Sequence, residues 1–179
     1  LFSQDLNNSG IFFEFKNSQI TEKTSKSIIL VTPDAERSMN TFLGASVIFN
    51  TNSFDEQFII NSSMIYIEGY LFDQPEAKEA IYYCCNLAKS HDKKIALSLS
   101  DLFCVDRHRT DFLKLIDEYV DIIFANEEEI KSLYQSELKE SINNIKNNVD
   151  FGDITLGSKG SVVFENKLEY LVDPISLVE

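Results

Sequence analysis

The sequence predicts an α/β protein: a mostly parallel sheet with helices on both faces, plus a small antiparallel sheet. Two observations support this prediction. From residue 64 onward, short apolar runs rich in β-branched residues alternate with stretches of helical periodicity, an order typical of parallel strands joined by crossover helices. Before that point, two short strand-like runs flank a proline-containing turn at 33–36, which favours an antiparallel pair.

The first 45 residues make up the smaller part of the predicted architecture. Residues 1–8 have the pattern of the end of an amphipathic helix, which Gly10 stops. Strands are predicted at 11–15, 27–32 and 37–42, and their succession with short turns favours antiparallel pairing. We therefore assign residues 11–45 to a β-subdomain, and residues 1–10 and 46–179 to an α/β core.

A regular succession of elements predicts the core. The sequence favours helices at 54–61, 74–91, 107–118, 127–134 and 138–148. It favours strands at 64–67, 95–99, 120–125, 154–156, 161–165 and 168–172. The last two strands have the pattern of antiparallel additions at one side of the sheet.

Composition and charge exclude several classes of partner. A 179-residue chain with 44% hydrophobic residues can bury a real core, so wholesale disorder is excluded. The net charge of −13 argues against nucleic acid and anionic membranes, although a nucleotide site needs only local donors. No apolar run is long enough to span a bilayer, so we expect a cytoplasmic protein. The cysteines, Cys84, Cys85 and Cys104, lack metal or redox spacing and are expected to be reduced.

Three predicted parallel strands end in polar or acidic turns. These turns contain Glu68-Gly69, the run 98–101, and Asn126 with the three acids that follow it. The carboxyl ends of parallel strands share one edge of a sheet, so we expect these groups to meet in one crevice. Acids and amides together suit a Mg²⁺ held through water and shared with substrate phosphates. The structural alternative is that Asn126 only caps a helix and the acids only suit its dipole.

A fourth turn, Thr155-Leu156-Gly157-Ser158-Lys159-Gly160, follows the next predicted strand. Glycines three positions apart allow backbone N–H groups to turn towards an anion. The same spacing is also common in purely structural hairpin turns. The turn alone therefore does not decide between a phosphate site and a simple connection.

Taken together, these motifs resemble one family. Asn126-x-x-Glu129, followed on the next strand by Thr155-x-Gly157-x-x-Gly160, resembles the ribokinase family, also called the pfkB-type carbohydrate and nucleoside kinases. The run 31–45 resembles the segment after the lid in bacterial members, adenosine and sugar kinases, and the run 100–109 resembles the same subgroup. The likeness follows the family's order over nearly the whole chain and implies a ribokinase-like fold, in which the β-subdomain is the lid.

The resemblance implies phosphorylation of a hydroxymethyl group on a sugar or nucleoside, with ATP and Mg²⁺ as cofactors. Asn126 and Glu129 match the motif that organises Mg²⁺ and phosphate, through water. The turn that meets the ATP phosphates matches Thr155, Gly157 and Gly160. On the substrate side the matching positions are Glu68, Arg37 and Asn40. Structural alternatives are that Arg37 pairs with a nearby surface acid and that Glu68 caps its turn.

The family's Gly-Gly and Gly-Ala-Gly-Asp motifs are expected before Leu1 and after Glu179. The sequence thus resembles a central piece of a longer chain, with the catalytic base beyond Glu179 and little activity of its own. The alternatives are another sugar specificity, a non-catalytic nucleotide-binding or dimerising module, or an α/β domain without a site. We also expect a homo-oligomer through the lid or exposed sheet edges.

Overall fold

The computed structural model describes residues 2–13 and 21–175 and divides the chain into two compact units, Leu1–Phe54 and Asp55–Glu179. The first unit contains helix α1 (Phe2–Asn8), strands β1 (Lys26–Val31) and β2 (Arg37–Phe42), and a 3₁₀ turn at Gly44–Ile48. Of the strand predicted at 11–15, the first three residues lie in neither helix nor strand, and the other two fall outside the described residues. The assignment of 11–45 to a separate subdomain stays a prediction.

Strands β1 and β2 form the small antiparallel sheet that the sequence predicts. Lys26 lies opposite Phe42 and Val31 opposite Arg37, and Ala35 takes a left-handed φ of 66° in the turn between the strands. Both strands are exposed along their whole length. Within the described part of this unit, the hairpin therefore presents apolar side chains on both faces: Ile28, Ile29, Leu30, Val31, Met39 and Phe42.

The second unit is built on a six-stranded sheet. Its strands are β3 (Met64–Glu68), β4 (Lys94–Ser98), β5 (Ile122–Asn126), β6 (Phe151–Thr155), β7 (Ser161–Glu165) and β8 (Leu168–Val172). The spatial order of the strands is the same as their order in the chain. The pairs from β3 to β6 are parallel, and β7 and β8 are added antiparallel. The predicted fold class is therefore confirmed.

The described part of this unit contains five α-helices: α2 (Glu56–Asn61), α3 (Pro75–Ser90), α4 (Leu102–Glu118), α5 (Glu127–Tyr134) and α6 (Leu138–Ile145). Short 3₁₀ turns follow β3 at Gly69–Asp73 and β6 at Gly157–Lys159. Helix α4 begins five residues before its predicted start, because the Asp101 side chain accepts a hydrogen bond from the Cys104 amide (2.7 Å) and caps the helix there. The helical φ and ψ angles are interrupted at His108, near the start that the sequence predicts.

Burial is uneven on the two faces of the six-stranded sheet. Along β5, β6 and β7 every second residue is buried, which shows that one face is covered completely. Helices α3 and α5 contact the strands. The opposite face carries half-buried or exposed side chains, among them Tyr66 and Phe124, whose ring centres are 6.2 Å apart. On the inner strand β4, however, Ala96 on this second face is also fully buried.

The three cysteines are free thiols, and burial raises the pKa of Cys85 and Cys104 to about 12. On α3, Cys85 packs fully into the core, whereas its neighbour Cys84 is half-buried. Among the described helices, none combines the length and apolarity that crossing a membrane requires.

Candidate active site

Four parallel strands bring their carboxyl ends to one edge of the sheet. Glu68 at the end of β3 lies opposite Ser98 of β4, and Asn126 at the end of β5 lies opposite Thr155 of β6. Glu68, Asn126 and Thr155 are exposed. The structure therefore gathers the polar strand ends along one edge, as the sequence pattern implies for parallel strands.

Asn126 and Glu129 exchange three hydrogen bonds at the start of α5. The Glu129 amide donates to the Asn126 side-chain oxygen (2.9 Å). In return, the Asn126 amide donates to Oε2 of Glu129 (3.0 Å) and the Asn126 Nδ2 to its Oε1 (2.7 Å). This capping box satisfies two amides at the helix start that have no partner within the helix. Asn126 therefore does cap helix α5, as the structural alternative expects, and this cap does not exclude a further role for Asn126 and Glu129.

Glu129 is also a buried acid at the edge of the site. Its residue surface is only 6% exposed, and burial raises the pKa of its carboxyl above the ordinary value. The hydrogen bond from the Asn126 amide lowers this pKa, and the negative charge of Asp101 raises it further. The pKa of Tyr70 is raised as well, chiefly by burial and then by the negative charges of Asp101 and Glu129. The edge is therefore an anionic environment that a bound cation would stabilise.

This raised pKa predicts a pH-dependent contribution of Glu129 to stability. The folded protein keeps the proton at pH values where the unfolded chain, with an ordinary pKa of 4.5, has lost it. The contribution is therefore complete below that value and is lost as the pH rises through the raised pKa of the folded state. As the pH rises through this pKa, we expect the free energy of unfolding of the wild type to fall relative to that of Glu129→Gln. Urea unfolding of both proteins at each pH measures the difference.

The matched control is Glu128→Gln, which removes the same charge from a side chain that is 66% exposed. A stability difference between the wild type and Glu129→Gln that stays constant from pH 4 to pH 7 would contradict the assigned burial of Glu129.

The loops after β3 and β4 are joined by hydrogen bonds. The Ser100 hydroxyl donates to Oε2 of Glu68 (3.0 Å), and the Tyr70 hydroxyl donates to the Ser100 carbonyl (3.2 Å). The buried Cys104 thiol donates to the Gly69 carbonyl (3.2 Å). Gly69 is required here, because a β-carbon would lie 2.7 Å from the Leu99 carbonyl oxygen. Glu68 is therefore held by hydrogen bonds between the loops after β3 and β4. The structural alternative is that Glu68 caps its own turn, but in the described structure its side chain makes no capping hydrogen bond there.

Sequence patterns did not select Ser100, Asp101 and Tyr70 as site residues. Ser100 and Asp101 belong to a polar strand end that the sequence does indicate, so this strand end was the available signal. Tyr70 reaches the site because a 3₁₀ turn follows β3. No spacing in the sequence predicts that contact.

The two glycines of the turn after β6 differ in their surroundings. Gly160 has φ +89°, and a β-carbon there would lie 2.0 Å from the Val172 carbonyl oxygen, so close packing against β8 requires it. Gly157 has φ +60° with no atom within 4 Å of a β-carbon position. Gly160 therefore has a structural reason to be glycine, whereas Gly157 leaves its backbone open to an approaching group.

Arg37 and Asn40 lie on β2 in the first unit, and both are exposed. Arg37 is opposite Val31 and Asn40 is opposite Ile28. Residues three positions apart on a strand point to opposite faces, so these two side chains cannot line the same face of the hairpin. They remain separate predictions for substrate contact.

The donor groups at this edge set limits on how a metal could bind. Among the described residues, no three His, Cys, Asp or Glu side chains are arranged to hold a metal ion. Both oxygens of Glu129 already accept hydrogen bonds from Asn126. The residues present therefore fit a Mg²⁺ bound through water and ligand oxygens, since Mg²⁺ commonly keeps several of its waters.

Comparison with known proteins identifies the family of this chain. The sequence profile of the pfkB family carbohydrate kinases matches residues 1–179, and the chain therefore belongs to this family. The comparison with curated proteins gives no match.

Solved structures agree with the family. A probable sugar kinase from Rhizobium etli CFN 42 is 38% identical, with a TM-score of 0.91, and the match covers 99% of this chain and 55% of that one. Adenosine kinase from Sinorhizobium meliloti is 35% identical with the same TM-score and the same coverage. A putative ribokinase II from E. coli in complex with ATP and Mg²⁺, at 17% identity and a TM-score of 0.77, covers 89% of this chain and 53% of that one and shares the fold. This chain thus spans just over half the length of the structures it resembles.

Proposed function

We propose that this chain forms part of a kinase that transfers a phosphoryl group from ATP, with Mg²⁺, to a hydroxymethyl group of a sugar or nucleoside. The observation that carries the proposal is the alignment of Asn126 with Thr155 on neighbouring parallel strands, one strand spacing apart. The open backbone of Gly157 lies two positions after Thr155. Two family motifs, separate in sequence, thus come together at one edge, and the related ribokinase II structure holds ATP and Mg²⁺.

Different residues at this edge would bind the phosphates and the metal ion of Mg·ATP. The Thr155 hydroxyl and the backbone amides of Gly157 and Ser158 would donate hydrogen bonds to phosphate oxygens, while the Lys159 amide already donates to the Leu156 carbonyl (3.2 Å). The Asn126–Glu129 pair would orient water molecules around the metal. Bound Mg²⁺ neutralises charge on the phosphates during transfer. Lys159, whose side chain is 74% exposed and 3.8 Å from Glu127, adds a positive charge at the end of the same turn.

The acceptor would bind beside Glu68. An exposed carboxylate accepts hydrogen bonds and suits the hydroxyl groups of a sugar or ribose ring. The structures that are 38% and 35% identical are named a probable sugar kinase and an adenosine kinase, which supports this acceptor class without choosing between its members. Arg37 and Asn40 of the hairpin stay separate predictions for substrate contact.

The direct test is binding of Mg·ATP by calorimetry. We expect the wild-type chain to bind Mg·ATP, and Thr155→Val to weaken binding by about tenfold, the loss typical of one hydrogen bond to a charged group. The control is Asp150→Asn: this exposed residue precedes β6 at the opposite edge of the sheet, and Lys94, its partner, keeps its bond to Asp121. No heat from the wild type with millimolar Mg·ATP would reject the nucleotide role, and equal losses in both variants would reject the assigned location.

One observation favours a second candidate, a non-catalytic or dimerising module. The hairpin of β1 and β2 exposes apolar side chains on both faces, and its outer strand edges are free to pair among the described residues. Light scattering separates the candidates, because a dimerising module requires a mass of two chains, whereas Mg·ATP binding alone does not.

A further inference from the structure

Ser100 adopts a backbone conformation that serines rarely take. Its φ is +73°, in the left-handed region, and the Asp101 amide donates to the Leu99 carbonyl (3.0 Å) across it. This closes a three-residue turn of a rare and strained kind, directly after β4 and before the Asp101 cap of α4. Glycine would relieve the strain, so the presence of serine needs another reason.

The strained turn has a definite consequence for Glu68. It directs the Ser100 hydroxyl to Oε2 of Glu68 at 3.0 Å, while the Ser100 carbonyl accepts from Tyr70. One residue of the loop after β4 thus holds both the carboxylate that ends β3 and the tyrosine beyond it. A glycine at this position would keep the turn but lose the bond to the carboxylate.

An exposed glutamate normally samples several rotamers and loses that freedom when it binds a ligand. The bond from Ser100 engages Oε2, and the Tyr66 side chain also hydrogen-bonds with this carboxylate, while Glu68 stays exposed at the edge. Orienting the side chain before the ligand arrives reduces the entropy lost on binding. The arrangement therefore prepares Glu68 to accept hydrogen bonds from hydroxyl groups in a fixed direction.

We propose that Ser100 is a positioning residue: its hydroxyl holds Glu68 in the orientation that accepts hydrogen bonds from the hydroxyl groups of the phosphoryl acceptor. This inference rests on the proposed function, since it assigns the acceptor to Glu68. It adds the residue that gives Glu68 its direction and explains why a strained turn contains serine.

The test combines calorimetry with thermal unfolding of the full chain, using adenosine, ribose and fructose as probes. Ser100→Gly is expected to unfold at the same or a higher temperature and yet bind the preferred probe about tenfold more weakly. Ser100→Asn, which tolerates the left-handed conformation and keeps a side-chain donor, is expected to restore most of the affinity. A merely structural role for Ser100 would instead change stability and affinity in the same direction.

A double substitution provides the second measurement. If Ser100 acts through Glu68, Ser100→Gly adds no further loss of affinity to Glu68→Gln, and Mg·ATP binding is unchanged in all variants. Full probe affinity in Ser100→Gly, or losses that simply add, would overturn the positioning role while the proposed function stands. A wild type that binds Mg·ATP but none of the probes would also overturn it, and loss of Mg·ATP binding as well would reject the proposed function.

Discussion

Replacing Gly152 with alanine should lower the free energy of unfolding by about 3 kcal/mol, near the upper end for an overpacked core. Gly152 is buried in the middle of β6, with β5 and β7 on either side. A β-carbon there would lie 2.3 Å from the ring of Phe164 and 2.8 Å from a methyl group of Ile123. Strand pairing on both sides limits how far β6 can shift, so Phe164 has to leave its position. Urea unfolding of wild type and variant measures the loss.

The mechanism is tested by making room for the added methyl group. In a Gly152→Ala, Phe164→Leu double variant, the smaller side chain should recover part of the stability that Gly152→Ala loses. Gly157→Ala is the control glycine substitution: nothing lies near its β-carbon position, so only its positive φ of 60° is penalised, by about 1 kcal/mol. If Gly152→Ala and Gly157→Ala lose the same stability, steric crowding in β6 is not the cause.

Asn126→Ala should destabilise the protein by about 2 kcal/mol, because it removes a helix cap and leaves a buried carboxylate short of a donor. The side chain supplies both the acceptor for the Glu129 amide (2.9 Å) and a donor to Oε1 of Glu129 (2.7 Å). Its loss exposes the first turn of α5 to fraying and further raises the cost of burying the Glu129 charge. Thermal and urea unfolding at pH 7 measure the effect.

Two further variants separate the two functions of the Asn126 side chain, the acceptor that caps α5 and the donor to the Glu129 carboxylate. Asn126→Ser keeps a capping oxygen but not the donor, and should lose less than half as much stability as Asn126→Ala. Asn126→Asp keeps the cap but places a second carboxylate against Glu129, so its stability should recover as the pH falls and the acids become protonated. If serine and alanine are equally destabilising, the cap contributes nothing and the donor to Glu129 accounts for the whole effect.

The sequence predicted the ends of those helices and strands that are marked by a capping box or by a tight turn. Helix α5 begins where predicted, because Asn126 and the acids after it form a capping box. Strands β7 and β8 match their predicted limits, with two residues of positive φ, Asn166 and Lys167, in the turn between them. Helix α4 was placed too late, because apolar periodicity is clearest after the irregular residue His108, while its actual start depends on the single cap from Asp101.

The candidate site was predictable where topology alone determines it. Parallel strands must end at one edge, so the proximity of Asn126 and Thr155 followed from assigning β5 and β6 correctly. The bond from Ser100 to Glu68 joins residues 32 positions apart and depends on an unusual backbone angle, which no periodicity encodes. The opposite faces of Arg37 and Asn40 could have been predicted from strand alternation, but the resemblance assigns both to the substrate side by position alone, without regard to side-chain direction.

The strand order of the second unit has a consequence for how the protein folds. Each strand of its sheet pairs with the strand that precedes it in the chain, so none has to be inserted between two others. The sheet can therefore grow at one edge in the order in which a ribosome releases it, and each step closes only one short crossover or hairpin. Contacts of this kind favour rapid folding. The strands that carry Glu68, Asn126 and Thr155 are then already in place in the sheet when β7 and β8 join it.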